Sequence, residues 1–289
     1  MKELVVISGK GGTGKTSLVV ALASLAKNKV IADCDVDAAD VHLILNPKIR
    51  QKEDFLGGKE YKIDQARCKK CDKCHEVCSF GAIQIIEDKY SVDPFKCEGC
   101  GVCAWFCFHE AISSKPKVAG EWFISDTSRG SLSHAALGIN EDNSGKLVSK
   151  VREKAREEAA RIGADLIIVD GSPGIGCPVI ASITGAKLVL VVTEPTVSGV
   201  HDLKRVIELI KHFNLEAMVC INKFDLNLEK VKEIEDFCQK NEIEIAGLLP
   251  YDPNFTKAQL EGKTIIEYES GETSGLIKKM WEKIDARIA

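Results

Sequence analysis

The sequence predicts an α/β fold: a mostly parallel sheet with helices on both faces, plus a small inserted α+β domain. Three observations carry this. Short apolar runs of strand length alternate with stretches whose apolar residues recur at helical spacing. A glycine-rich loop joins the first such run to the first helical stretch. A middle segment breaks the alternation and holds eight of the chain's 12 cysteines.

Leu4-Val5-Val6-Ile7-Ser8 is continuously apolar up to its end, as in a parallel strand buried on both faces. After the loop, Leu18, Val19, Leu22, Leu25 and Ala26 recur at helical spacing. Lys29-Val30-Ile31-Ala32-Asp33 reads as a second buried strand. Beyond residue 165 the alternation resumes. Strands are expected at Asp165–Val169, Lys187–Val192, Ala217–Ile221 and Ile243–Leu249, and helices at about 146–162, 199–212, 228–240 and 273–287. Such alternation means a parallel sheet covered by helices on both sides.

The segment 58–118 is set apart as an inserted domain, leaving 1–57 and 119–289 as one discontinuous domain. Short strands are expected within it at Tyr61–Ile63, Ile83–Ile86 and Tyr90–Val92. Its core is too small to fold by burial alone. Its two halves form an internal repeat, each a cysteine run followed by an Ala-Ile pair (Ala82-Ile83, Ala111-Ile112). Gly57-Gly58 and Ser114-Lys115-Pro116 read as hinges at the insertion points.

The chain has 289 residues, 45% of them hydrophobic, and a formal charge of −4. That balance gives no reason to expect nucleic acid as a partner. No apolar run reaches the ~18 residues of a membrane span, and Met1-Lys2-Glu3-Leu4-Val5 has no signal-peptide pattern. Many free thiols fit a reducing cytoplasm.

Gly9-Lys10-Gly11-Gly12-Thr13-Gly14-Lys15-Thr16 satisfies G-x4-G-K-[ST] between a strand and a helix, the context that makes this motif a P-loop, with Ser17 next in line. Glycines let backbone N–H groups curl around phosphate, and the helix N-terminus adds positive potential. Lys15 is expected to reach the β- and γ-phosphates and the Thr16 hydroxyl to bind Mg2+. The core is therefore read as a P-loop NTPase.

Lys10 adds a second lysine to the loop. Here the sequence resembles the deviant P-loop ATPases of the MinD, ParA and nitrogenase iron protein family, whose loop reads K-G-G-x-G-K-[ST]. The resemblance continues at Asp33-Cys34-Asp35, like that family's first switch, and at Ile168-Val169-Asp170-Gly171-Ser172-Pro173-Gly174, like its second. It implies that Lys10 reaches a partner subunit's phosphates in a nucleotide-dependent homodimer, or in a heterodimer with a paralogue. It implies that Asp35 orients the attacking water and that Asp33 and Asp170 serve the magnesium shell. The Gly174 amide would sense the γ-phosphate. Asn222 and the Pro250 loop would meet the base. Asn222-Lys223-Phe224-Asp225 also matches the N-K-x-D of GTPases. ATP is preferred over GTP because of Lys10.

Cys68-x2-Cys71-x2-Cys74-x3-Cys78 and Cys97-x2-Cys100-x2-Cys103-x3-Cys107 have the spacing of bacterial ferredoxins with two [4Fe–4S] clusters. Zinc is the alternative, but its sites pair C-x2–4-C knuckles across a longer gap. The resemblance to ferredoxins implies interleaved ligation. One cluster takes Cys68, Cys71, Cys74 and Cys107; the other takes Cys78, Cys97, Cys100 and Cys103. Ser79 and Phe108 stand where ferredoxins have proline. The insert narrows the resemblance to MinD-like ATPases with an inserted ferredoxin domain. Cys34, Cys220 and Cys238 are read as packing residues. Cys177, after the second switch, is either a buried thiol or an extra cluster ligand at a dimer interface. The apolar stripe of Leu276, Ile277, Met280, Trp281, Ile284 and Ile288 is read as core rather than as a membrane-binding face.

The leading function is an ATPase coupled to iron–sulfur electron transfer or to maturation of a metalloprotein client. The alternatives are a cluster scaffold or carrier, and a MinD-type spatial regulator whose clusters are structural.

Overall fold

The computed structural model describes residues 1–138, 144–268 and 270–289. It falls into two compact units. The first comprises Met1–Glu53, Trp122–Ala136 and Ser144–Ala289; the second comprises Asp54–Glu121, with Leu137 and Gly138 grouped with it. In chain order the elements are β1 (Lys2–Ser8), α1 (Lys15–Leu25), β2 (Lys29–Asp33), α2 (Val41–Leu45), β3 (Lys48–Ile63), α3 (Lys73–Glu76), β4 (Ile83–Ile86) and β5 (Lys89–Val92). There follow α4 (Val102–Trp105), β6 (Ile112–Thr127), β7 (Gly130–Leu137), α5 (Ser144–Ile162), β8 (Leu166–Pro173), α6 (Cys177–Ile183), β9 (Leu188–Thr193) and α7 (Val197–His212). The chain closes with β10 (Ala217–Asn222), α8 (Leu228–Lys240), β11 (Glu244–Leu249), α9 (Asn254–Leu260), α10 (Ile265–Tyr268) and α11 (Glu272–Ile288).

The main sheet runs β11-β10-β9-β1-β8-β2-β7-β6-β3. From β11 to β7 every adjacent pair is parallel. The six strands expected in this core are present. They are apolar because parallel strands lie between two helical layers. Leu4 and Val6 of β1 pack with Leu18 and Leu22 of α1 and with Ile277, Met280, Ile284 and Ile288 of α11. The apolar stripe of α11 is thus core.

Three readings are corrected. The expected strand at Asp165–Val169 runs on to Pro173, so Asp170 to Pro173 lie inside β8. The expected strand at Tyr61–Ile63 is the end of the 16-residue β3. The two hinges are not loops: Gly57-Gly58 lies in β3 and Ser114-Lys115-Pro116 in β6. Glycine serves a close approach there, because a Cβ on Gly57 would sit 2.5 Å from the Ala119 Cβ.

Two buried charge networks tie α5 to the first unit's sheet. Arg152 is buried and pairs with Glu3 of β1, while its Nη1 donates to the carbonyls of Ala181 (2.6 Å) and Thr184 (2.8 Å) around the end of α6. Glu158 accepts from Arg161 (Nε, 2.7 Å), Arg50 (Nη2, 2.6 Å) and the Ser131 hydroxyl (2.7 Å). The Arg161 bond, helped by Arg50 and Ser131, holds the Glu158 carboxyl down at about 2.

In the second unit β4 and β5 form a small antiparallel hairpin. Ile63, Ile83 and Tyr90 make its core, and Cys68, Cys74, Cys78 and Cys103 pack against them. The repeat is visible in the backbone. Asp64 N–H donates to the Ala111 carbonyl (2.8 Å) as Asp93 N–H donates to that of Ala82 (2.7 Å). Each half therefore leans on the other.

Two stability predictions follow from the charge networks. Arg152→Met leaves Glu3 with only the half-exposed Arg156 and takes the donor from the Ala181 and Thr184 carbonyls, and is expected to lose about 2–3 kcal/mol in urea unfolding. A carboxyl depressed on folding stabilises above its unfolded pKa, and that contribution fades as pH falls from the ordinary 4.5 toward 2. Glu158→Gln should remove about 2 kcal/mol at pH 7 but little near pH 2, in unfolding curves taken across that range.

Candidate functional site

The nucleotide loop leaves β1, which lies between β8 and β9 in the sheet. Gly14 stands before α1 at φ +85°, and a Cβ there would meet the Asn222 Nδ2 at 2.5 Å. Only glycine lets the loop turn this close to β10. Lys15 opens α1 and is buried.

Parallel pairing assembles the carboxylates around it. Asp33 of β2 and Asp170 of β8 are register partners on adjacent strands. Both are fully buried. Lys15 Nζ lies 2.5 Å from Asp170 Oδ1 and 3.2 Å from Asp35 Oδ2. Burial works against the Lys15 charge, but Asp170, Asp35 and Asp33 outweigh it and raise its pKa. Burial, with Asp170 alongside, pushes Asp33 well above the usual carboxylate range. Burial likewise raises Asp35, against the pull of Lys15. Asp33 accepts the backbone N–H groups of Asp35 and Val41, both at 3.2 Å, so it holds the first switch in shape.

The Asp170 Oδ2 is buried with no hydrogen-bond partner. A carboxylate oxygen left over behind the P-loop lysine suits a hydrated cation. This donor set is consistent with Mg2+; of the three residues expected to serve it, Thr16 lines the cavity over the loop and Asp33 and Asp170 do not.

A cavity of about 700 Å3 opens over the loop. Gly11 to Ser17, Asp35, Ser172, Pro173 and Gln259 are on its wall. Gln259 of α9 donates to the Ser17 hydroxyl at 2.6 Å. Asn222 and Pro250 are not among the residues lining it. Asn222 instead braces the loop, donating to the Thr13 carbonyl at 2.8 Å and accepting Lys223 N–H at 3.0 Å. Asp225 accepts the Tyr251 N–H at 2.6 Å and so clamps the loop after β11. The Gly174 amide, expected to face a phosphate, donates to the Ser8 carbonyl at 2.8 Å. Its φ of +93° suits glycine at this turn.

Lys10 does not enter its own loop. Its Nζ lies 3.3 Å from Glu194 Oε2, 3.3 Å from the Thr196 hydroxyl and 3.1 Å from that of Ser198. Lys223 pairs with the other oxygen of Glu194 and donates to the Gly12 carbonyl at 3.2 Å. Sequence reasoning missed Glu194 and Gln259, and gave Lys223 no role. The N-K-x-D match did flag the Lys223 position. Nothing in the local pattern singled out Glu194.

In the second unit each of two sets of four cysteines lines its own cavity. Cys68, Cys71, Cys74 and Cys107 share one; Cys78, Cys97, Cys100 and Cys103 share another. Backbone N–H groups of Ala82 and Ala111 point at the Cys78 and Cys107 sulfurs, at 3.3 and 3.4 Å. Among the described residues no group of three or more His, Cys, Asp or Glu side chains is arranged to hold a single metal ion. Cys34, Cys220 and Cys238 are buried, and burial raises the Cys220 thiol to about 12. Cys177, opening α6, is exposed rather than buried.

Residues 4–265 match the CobQ/CobB/MinD/ParA nucleotide binding domain. The chain belongs to that family. An uncharacterized protein of Methanocaldococcus jannaschii is 32% identical over 98% of this chain and 96% of its own length. The septum site-determining protein MinD of Bacillus subtilis is 24% identical over 91% of this chain and 81% of its own. The structure of MinD with Mg-ADP from Pyrococcus horikoshii shares the fold, with a TM-score of 0.60 at 17% identity, over 98% of this chain and 96% of that one. ATP hydrolase is the enzyme class that membership fits. Among the described residues no helix is long and apolar enough to cross a membrane.

Lys15→Ala is expected to abolish Mg-nucleotide binding by calorimetry. It also strands Asp170, so unfolding without nucleotide should lose about 3–5 kcal/mol. Adding Asp170→Asn should restore part of that stability, because the uncompensated charge is gone, but none of the binding.

Proposed function

We propose that this chain is a MinD-like ATPase that binds Mg-ATP in its first unit and two [4Fe–4S] clusters in its second. Its nucleotide cycle is coupled to iron–sulfur electron transfer or to maturation of a metalloprotein client. The observation that carries the reading is the pair of cavities, each lined by four cysteines drawn from both runs. The exchange of Cys78 and Cys107 between the sets is the interleaving a two-cluster ferredoxin needs.

The lack of a single-ion site among the described residues is compatible with this. One zinc needs its thiolates to converge on one point at about 2.3 Å. A tetranuclear cluster takes each thiolate at a different iron, so its ligands stay apart around a larger hole. When bound, such clusters supply one-electron transfer. The chain's own part is to hold eight sulfurs and to aim the Ala82 and Ala111 amides at two of them. Amide hydrogen bonds to sulfur are one of the levers on cluster potential.

On the nucleotide side, Lys15 and the loop amides hold phosphate, and Thr16, Asp33 and Asp170 serve Mg2+. Asp35, on the cavity wall, orients the attacking water. The ADP in the Pyrococcus horikoshii structure favours an adenine nucleotide. So does the engagement of Asp225 by Tyr251, which leaves that carboxylate oxygen less free for guanine. Lys10 acts across a nucleotide-dependent dimer, with a second copy or a paralogue, much as an arginine finger does. Cys177, exposed at the start of α6, is an optional further ligand at that interface. The protein works in the cytoplasm on a redox or metalloprotein client.

Anaerobically purified protein is expected to hold roughly eight iron and eight sulfide per chain, with an S = 1/2 signal after dithionite. Stoichiometric zinc with little iron contradicts the reading. Cys71→Ser should cost one cluster, leaving about half the iron.

A further inference from the structure

Glu194 is the buried acceptor that nothing in the motif pattern anticipates. It follows β9 and is only 7% exposed. Both of its carboxylate oxygens are taken, Oε2 by Lys10 and Oε1 by Lys223. Lys223 is held at φ +55°, a conformation that non-glycine residues seldom adopt, and also reaches the Gly12 carbonyl. One carboxylate thus ties two loop-side ammonium groups to the end of a central strand.

We infer that Glu194 is a positioning residue that latches Lys10 to its own chain and thereby sets the threshold for nucleotide-dependent dimerisation. This rests on the reading that Lys10 serves a partner's phosphates. Lys10 cannot stay within 3.3 Å of Glu194 and also extend to a phosphate on another subunit. Phosphate has to outcompete Glu194, Thr196 and Ser198 for the same ammonium. The latch therefore opposes pairing at low nucleotide and yields when a charged γ-phosphate is presented. Lys223 remains on Glu194 when Lys10 leaves, so the carboxylate is not stranded. Through Lys223 it still steadies Gly12.

The test is Glu194→Gln, which keeps shape and removes charge. Lys10 and Lys223 are both partly open to water, so the loss of their acceptor is tolerable. With a non-hydrolysable ATP analogue, the protein concentration for half-dimerisation by sedimentation should fall roughly tenfold, within the usual range of coupling between sites. In a Lys10→Ala background the same substitution should change nothing. An equal shift in that background, or no shift in the wild type, overturns the inference. A second measurement is independent of pairing: acylation of lysines in the monomer without nucleotide, read by mass spectrometry. Labelling at Lys10 should rise several-fold in Glu194→Gln while that at Lys29 stays constant. Unchanged labelling at Lys10 also overturns the latch. If labelling rises but no nucleotide dimerises the wild type, the latch stands as a contact and the trans role of Lys10 fails.

Discussion

Everything at the nucleotide end depends on one ammonium among three carboxylates. Lys15 touches Asp170 and Asp35 and feels Asp33, in a place where burial disfavours the charges of Lys15, Asp33 and Asp35. The sheet makes the arrangement unavoidable. β2 and β8 pair in parallel, with Asp33 opposite Asp170, and β1 delivers the P-loop beside them. Removing the lysine leaves three carboxylates uncompensated, whereas removing Asp170 relieves part of the repulsion on Asp33 and Asp35. Phosphate and Mg2+ offer a better balance, because phosphate draws the lysine and the cation answers the aspartates. Asp33 also accepts the Val41 amide, and the Ser172 hydroxyl donates to the Cys34 carbonyl at 2.8 Å, so the turn after β2 is tied to the end of β8.

Around that centre several polar groups are committed inside the chain. Gly174 N–H serves the Ser8 carbonyl, Asn222 serves the Thr13 carbonyl, and Lys10 serves Glu194. These bonds differ in what nucleotide can offer in exchange. A phosphate oxygen is a stronger acceptor for the Gly174 amide than the Ser8 carbonyl, whereas for Lys10 it exchanges one charged acceptor for another. Asn222 gains nothing comparable from a base and is better placed as a brace for the loop.

Much of this was legible in the sequence. Strands buried on both faces are apolar throughout, so β1, β2, β9 and β10 announce themselves. The P-loop is legible because backbone geometry requires its glycines at fixed positions. The stretches within β3 and β6 were read as hinges because glycine and proline usually punctuate loops, whereas Gly57 is there to let Ala119 approach. Glu194 was invisible because its partners lie 184 and 29 residues away, and a lone glutamate after a strand carries no pattern. The cysteine runs were legible as a repeat. The exchange of Cys78 and Cys107 between the runs was already implied by the resemblance to ferredoxins, and the two cavities are lined in that way.

The central claim is that nucleotide and cluster states are linked in one chain. If they are, nucleotide must shift cluster potential, and reduction must shift nucleotide affinity by the same free energy. The direct measurement is an EPR-monitored redox titration with and without a non-hydrolysable ATP analogue, beside nucleotide affinity in oxidised and reduced protein. The account predicts a potential shift of several tens of millivolts, with about 60 mV matching each tenfold change in affinity for a one-electron couple. Potentials and affinities that both stay fixed would contradict it.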